Sequence, residues 1–234
     1  MPRRILDIAW RVVVCGFVFA SGLVASRLAL QAAGVSSPRM PNQAPENVAG
    51  WYLLAGSIAL AAGMCPSFRN IRGSFPIRWL ILSVFLFAGF GASTTIEASI
   101  FSSTTGMPQM IAVMLLPCLL MAGVGTLLCR PRPLHEPPGR TVAEVLRGLA
   151  WSRWPLRLVL AIIAFPLAYF VFGMIVSPFV TTYYETGIAG LVLPETGIVL
   201  GTQLLRGAIH LLVVLLMMFF WGGSRRQLVV SLGM

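Results

Sequence analysis

Six apolar runs, each near the length of a bilayer crossing, leave this chain few ways to fold. A helical span needs about 20 mostly apolar residues, each rising roughly 1.5 Å. Runs at about 10–33, 48–65, 79–98, 107–129, 158–180 and 196–222 have that character. In hydrocarbon every backbone N–H and C=O must be satisfied within the segment, so such runs become helices. The reading is all-α: a polytopic membrane bundle of six transmembrane helices in one domain, 1–234. Composition agrees, with 57% hydrophobic and 10% charged residues where soluble domains carry about 25% charged.

The arginines then set an orientation. There is no lysine among the 17 basic residues. Arginines cluster at 3, 4 and 11, at 69, 72 and 78, at 130–157, and at 225 and 226. The alternate connections hold Arg39 alone, with Glu46, Glu97, Glu185 and Glu195. The positive-inside rule therefore predicts that both termini are cytoplasmic at every step of the alternation. The expected location is a cell membrane, of the bacterial plasma type. A net charge of +10 spread between apolar runs fits anionic headgroups on the cytoplasmic face, and excludes nucleic acid as a partner.

One further element is expected in the basic segment. Val142, Val145, Leu146 and Leu149 recur at helical spacing, with Arg140, Glu144 and Arg147 opposite. A short amphipathic helix over about 141–152 is predicted to lie on the cytoplasmic surface. With Trp151, Arg153 and Trp154 it forms a surface for the membrane or a protein partner. Small residues in the second run (Ala55, Gly56, Ala59, Ala62, Gly63) suit close helix packing, within the chain or in a homo-oligomer.

The chemistry concentrates in the last run. Gln203, Arg206 and His210 lie three and four apart, so they share one face of a helix with Thr202. Arg206 is about 15 Å below the outer end of its helix, near the midplane. A charge there costs roughly 2.5–3.5 kcal/mol on insertion scales and must find a partner inside the bundle. Side chains lean toward a helix's N-terminus, which here is the outer end, so the guanidinium leans outward. Glu97 is its predicted counter-ion, with Glu185, Glu195 and Arg27 at similar depth.

Three resemblances attach to particular residues. Leu193-Pro-Glu-Thr-Gly197, the apolar run after it and Arg225-Arg226 resemble the tripartite sorting signal that sortases cut between threonine and glycine. That likeness implies a soluble ectodomain ahead of the motif, whereas five spans precede it here. The simpler expectation is that Pro194 starts the last helix, with Glu195 favoured in its first turn by the helix dipole. Gly91-Ala-Ser93 with His210 resembles part of the rhomboid protease dyad, but Thr94 replaces the second glycine of that motif. A six-span chain of this length is similar in general shape to the substrate-binding subunits of energy-coupling transporters. Ala25-x-x-x-Ala29 is similar to the small-residue face they use for docking.

No Walker loop, dinucleotide fingerprint, haem-attachment motif or zinc-protease helix occurs. The four cysteines (15, 65, 118, 129) show no CxxC. No cofactor, no metal and no catalytic residue are expected. The functional expectation is an outward-facing polar pocket that binds or transports a small polar or anionic solute. The alternative is a non-catalytic subunit or assembly scaffold of a membrane complex.

Overall fold

The computed structural model describes residues 2–34, 46–101, 106–129, 154–186, 192–223 and 228. They form α1 (Pro2–Ala32), α2 (Glu46–Asn70), α3 (Phe75–Leu86), a π-helical segment (Phe87–Ala92), α4 (Ser93–Phe101), α5 (Met107–Leu128), α6 (Trp154–Glu185) and α7 (Thr196–Phe220). α3, the π segment and α4 make one continuous rod, so six helices are long and apolar enough to span a membrane. No strand occurs among the described residues, and pairing is confined to one isolated bridge, Ile71 with Trp221. The predicted amphipathic helix, with Arg140, Arg147, Trp151 and Arg153, lies outside the described residues. Trp154 is the first residue of α6.

Four of the helical rods, α1, α2, α3–α4 and α6, run longer than the apolar runs that predict them, while α5 and α7 match theirs within two residues. α1 starts at Pro2 and α2 continues through Pro66 to Asn70. Proline inside a helix loses one donor bond, which leaves the carbonyl four residues earlier without its helical partner; near the end of α2, Asn70 Nδ2 donates to the Pro66 carbonyl at 2.8 Å. α7 starts at Thr196, where its apolar run begins. Glu195 is its N-cap, with extended ψ of 143°. Pro194 therefore precedes the helix rather than opening it. Its ring disfavours helical backbone in the residue before it, which keeps Leu193 extended.

α1, α2, α3 and α5 form the packed body. Phe19, Phe68, Leu82, Cys118 and Met121 are buried at its centre. Two crossings are backbone-close because a glycine stands there. A Cβ on Gly16 would lie 2.7 Å from Ile58 Cα, and one on Gly22 2.8 Å from Pro117 Cα. Small residues allow such approach where apolar burial alone gives no drive between helices.

The two poles of the bundle are distinct. At one, Arg72 N donates to Phe220 O at 2.8 Å and Gly222 N to Asn70 O at 2.6 Å, joining the α2–α3 turn to the end of α7. Arg78 is buried at this pole and donates to Phe68 O at 2.7 Å and Cys129 O at 2.9 Å. It thus closes the C-terminal ends of α2 and α5, where carbonyls lack helical partners and a cation is favoured. At the other pole Val192 N donates to Phe101 O at 2.9 Å, and the Phe101 and Tyr184 rings meet edge to face with their centres 6.0 Å apart, within the usual range of about 4.5–7 Å. The ends of α4 and α6 and the approach to α7 gather there.

α6 stands apart. Only 6% of its most apolar stretch is buried, against 44% for α5. Phe172, Met174, Ile175 and Phe179 are all exposed. Its close neighbour is α7, reached through Gly207, where a Cβ would lie 2.7 Å from Ile162 O and 3.1 Å from Phe165 Cβ.

Candidate functional site

α7 presents Gln203, Arg206 and Gly207 as a buried stripe within an otherwise apolar helix. Arg206 reaches Glu97 on α4, with Nη2 3.5 Å from Oε2. It also donates through Nη1 to Gln203 Oε1 at 3.1 Å, within its own helix. The guanidinium carbon lies 5.4 Å from the Phe165 ring centre and 5.7 Å from that of Tyr169, both on α6. Such stacking of a desolvated cation contributes about 2 kcal/mol. Tyr169 in turn donates to Glu97 Oε1 at 3.4 Å. The predicted pairing of Arg206 with Glu97 is therefore present, in an aromatic setting that α6 supplies.

The ion pair is loose. Charge-assisted N–H···O bonds are usually about 2.7–2.9 Å, so 3.5 Å leaves the carboxylate only partly engaged. Its two ends differ in exposure. The Arg206 side chain is 11% exposed and that of Glu97 40%. Two buried donors beside it, Arg206 Nε and Gln203 Nε2, have no acceptor among the described residues. A buried donor without a partner costs about 1–3 kcal/mol, so the site is short of acceptor atoms.

Glu97 opens onto a cleft of about 560 Å³ between α4, α6 and the approach to α7. Phe101, Phe165, Tyr169, Phe172 and Leu193 form much of its wall. The cleft is thus mainly apolar, with the Glu97 carboxylate and the side chains of Tyr169, Ser177 and Tyr184 as its polar points. That differs from the polar pocket expected from the sequence. The polar stripe of α7 is short, and α6, which forms the facing wall, is apolar between its first turn and its last turns apart from Tyr169 and Ser177.

His210 belongs to the stripe and shares Phe165 with Arg206, but makes no contact with Glu97 among the described residues. Its Nδ1 lies 2.9 Å from Arg206 O, one turn back, and its ring lies 4.7 Å from Phe165. Arg27, Glu185 and Glu195 do not join the site. Arg27 is exposed on α1, Glu185 is exposed at the end of α6, and Glu195 is exposed at the N-cap of α7 without a side-chain capping bond. Ser93 donates to Ala88 O at 3.5 Å, Thr94 to Phe90 O and Thr95 to Gly91 O, both at 2.8 Å. These hydroxyls serve carbonyls around the π segment, and the serine is bonded to backbone rather than to His210.

Sequence reasoning missed Phe165 and Tyr169 because aromatic residues in an apolar run carry no positional signal. It missed Arg78 because its acceptors are backbone carbonyls, which have no residue identity. The π segment had one local sign, Gly89 and Gly91 two apart beside Ser93-Thr94-Thr95. Compared with known proteins, the chain matches no family model, no curated protein and no solved structure.

Proposed function

We propose that this integral membrane protein binds an amphipathic molecule with an anionic or acceptor-rich head, and passes it along or across the outer half of the membrane. In this reading the arginine-rich pole is cytoplasmic and the Glu97 cleft faces outward. The observation that carries it is the pair of buried, acceptor-less donors, Arg206 Nε and Gln203 Nε2, behind a 3.5 Å ion pair at the wall of a 560 Å³ cleft. A carboxylate or phosphate would displace Glu97 from Arg206 and supply the missing acceptors. An apolar tail would lie against Phe101, Phe172 and Leu193. The requirement for a tail refines the expected small polar solute, because a fully polar molecule would desolvate against these walls without compensation.

The experiment is mass spectrometry of the full chain, purified in mild detergent, for retained small molecules. Wild type is expected to carry an anionic amphiphile. Arg206→Gln is expected to lose about tenfold or more of it, the worth of one charge-assisted bond. Glu97→Gln is expected to retain as much or more, since it removes the competing carboxylate. Equal loss in both variants would mean that the pair only fixes packing.

A second reading, a subunit of a membrane complex, is favoured by α6. That helix is nearly unburied and projects Phe172, Met174 and Phe179 outward. Copurification of a stoichiometric membrane protein, lost when those three are replaced by leucine, would support it.

A further inference from the structure

A second cleft, of about 430 Å³, lies between α2, α3, the π segment and α7, and shares no lining residue with the first. Met64, Phe85 and Phe90 form apolar walls, and among the described residues His210 is the only one lining it with a polar side chain. The carbonyl of Arg206 can only accept, so the 2.9 Å contact makes His210 Nδ1 the donor. In the neutral ring Nε2 is then an acceptor, and no described residue donates to it. Fixing a histidine's tautomer through a backbone carbonyl is how proteins aim the other nitrogen at a ligand.

The π segment shapes the same cleft. A π turn inserts one extra residue into a helix and is frequent at functional sites. Here it brings Gly89 and Phe90 to the wall, and a Cβ on Gly89 would meet nothing within 4 Å. Phe90 is itself held edge to face against Phe19 of α1, at 5.7 Å.

We propose that this cleft binds a membrane-soluble hydroxyaromatic molecule, a phenol or hydroquinone headgroup, whose hydroxyl donates to His210 Nε2. The ring fits between Phe85 and Phe90, where edge and offset contacts are favourable, and against the Met64 sulfur. A water molecule needs two to four polar partners, and this cleft offers one polar side chain among the described residues. A plain acyl chain would leave the imidazole acceptor buried and unpaired.

The test uses the full chain in phosphatidylcholine nanodiscs, titrated with para-trifluoromethylphenol and followed by fluorine NMR. The methyl ether of the probe has the same shape without the donor, and empty nanodiscs give the partition background. Wild type is expected to bind the phenol saturably and the ether about tenfold more weakly, the worth of one hydrogen bond. Gly89→Leu is expected to fill the cleft and abolish saturable binding with the unfolding temperature unchanged. His210→Phe is expected to bring phenol and ether to the same weak level. Gly173→Leu, in the outer cleft, is expected to bind the phenol as wild type does. The proposal is overturned if nothing binds above empty nanodiscs, if phenol and ether bind alike to wild type, or if Gly89→Leu binds normally. Loss in Gly173→Leu with binding intact in Gly89→Leu would also overturn it, by placing the probe in the outer cleft.

Discussion

Two buried arginines sit in this bundle, and they are held in opposite ways. Arg78, at the basic pole, gives two short bonds of 2.7 and 2.9 Å to carbonyls of different helices. Arg206, deep in α7, makes one long contact with a half-exposed carboxylate and one 3.1 Å bond within its own helix; the Nε of both arginines has no partner among the described residues. Arg78 lies within the tightly packed body of α1, α2, α3 and α5; Arg206 faces α6, which is nearly bare. A cation that closes helix ends wants fixed acceptors. A cation that exchanges partners wants a loose carboxylate and an open wall beside it.

The comparison predicts unequal costs. Arg78→Ala removes both bonds and strands two carbonyls, for a loss of about 3 kcal/mol or more, since bonds to charged groups contribute about 1.5–3 kcal/mol. Arg206→Ala removes a buried, poorly paired charge, and its cost is expected to be about half as large. Thermal unfolding of both variants in one detergent checks this. Equal destabilisation would break the distinction and make Arg206 a second clamp.

Steric crowding gives the next step down. A Cβ on Gly125 would sit 2.6 Å from the Phe68 ring, which is 1% exposed. Gly125→Val is expected to cost about 2 kcal/mol by overpacking the body. Gly207→Val meets the Ile162 carbonyl and Phe165 on the bare side. There α6 has room to move outward, so about 1 kcal/mol is expected, with the guanidinium stacking weakened as well. Unfolding midpoints give the ranking, and tryptophan fluorescence reports whether α6, which begins at Trp154, has shifted.

These contrasts were unevenly legible in the sequence. Span number follows from apolar length, and the Arg206–Glu97 pairing from depth and the need of an intramembrane charge for a partner. Both arguments depend on positions along single helices. What lay beyond them depends on rotation of one helix against another. Which faces of α6 meet Arg206, and that Arg78 would find Phe68 O and Cys129 O, are set by packing between distant segments. Six runs that are apolar all round carry little periodicity to fix rotation. Expected depth alone brings in Arg27, Glu185 and Glu195 as candidates, whereas Glu185 lies at the end of α6 and Glu195 at the N-cap of α7, both several turns along their helices from Tyr169 and Arg206.

The smallest effect on stability is the most informative for the outer cleft. Gly173 lines it, and a Cβ there would meet nothing within 4 Å. Gly173→Leu is therefore expected to change stability by less than about 0.5 kcal/mol, as at a lipid-facing surface site, while its side chain occupies the space beside Phe172 and Ser177. If the cleft is where an amphiphile's tail lies, the variant loses the retained molecule while Arg206, Glu97 and the unfolding midpoint stay as they were. If retention is unchanged, the cleft is only a gap between a bare helix and its neighbours, and the loose pairing of Arg206 needs no ligand to account for it. The outcome thus separates a site from a defect in packing without touching a charged residue.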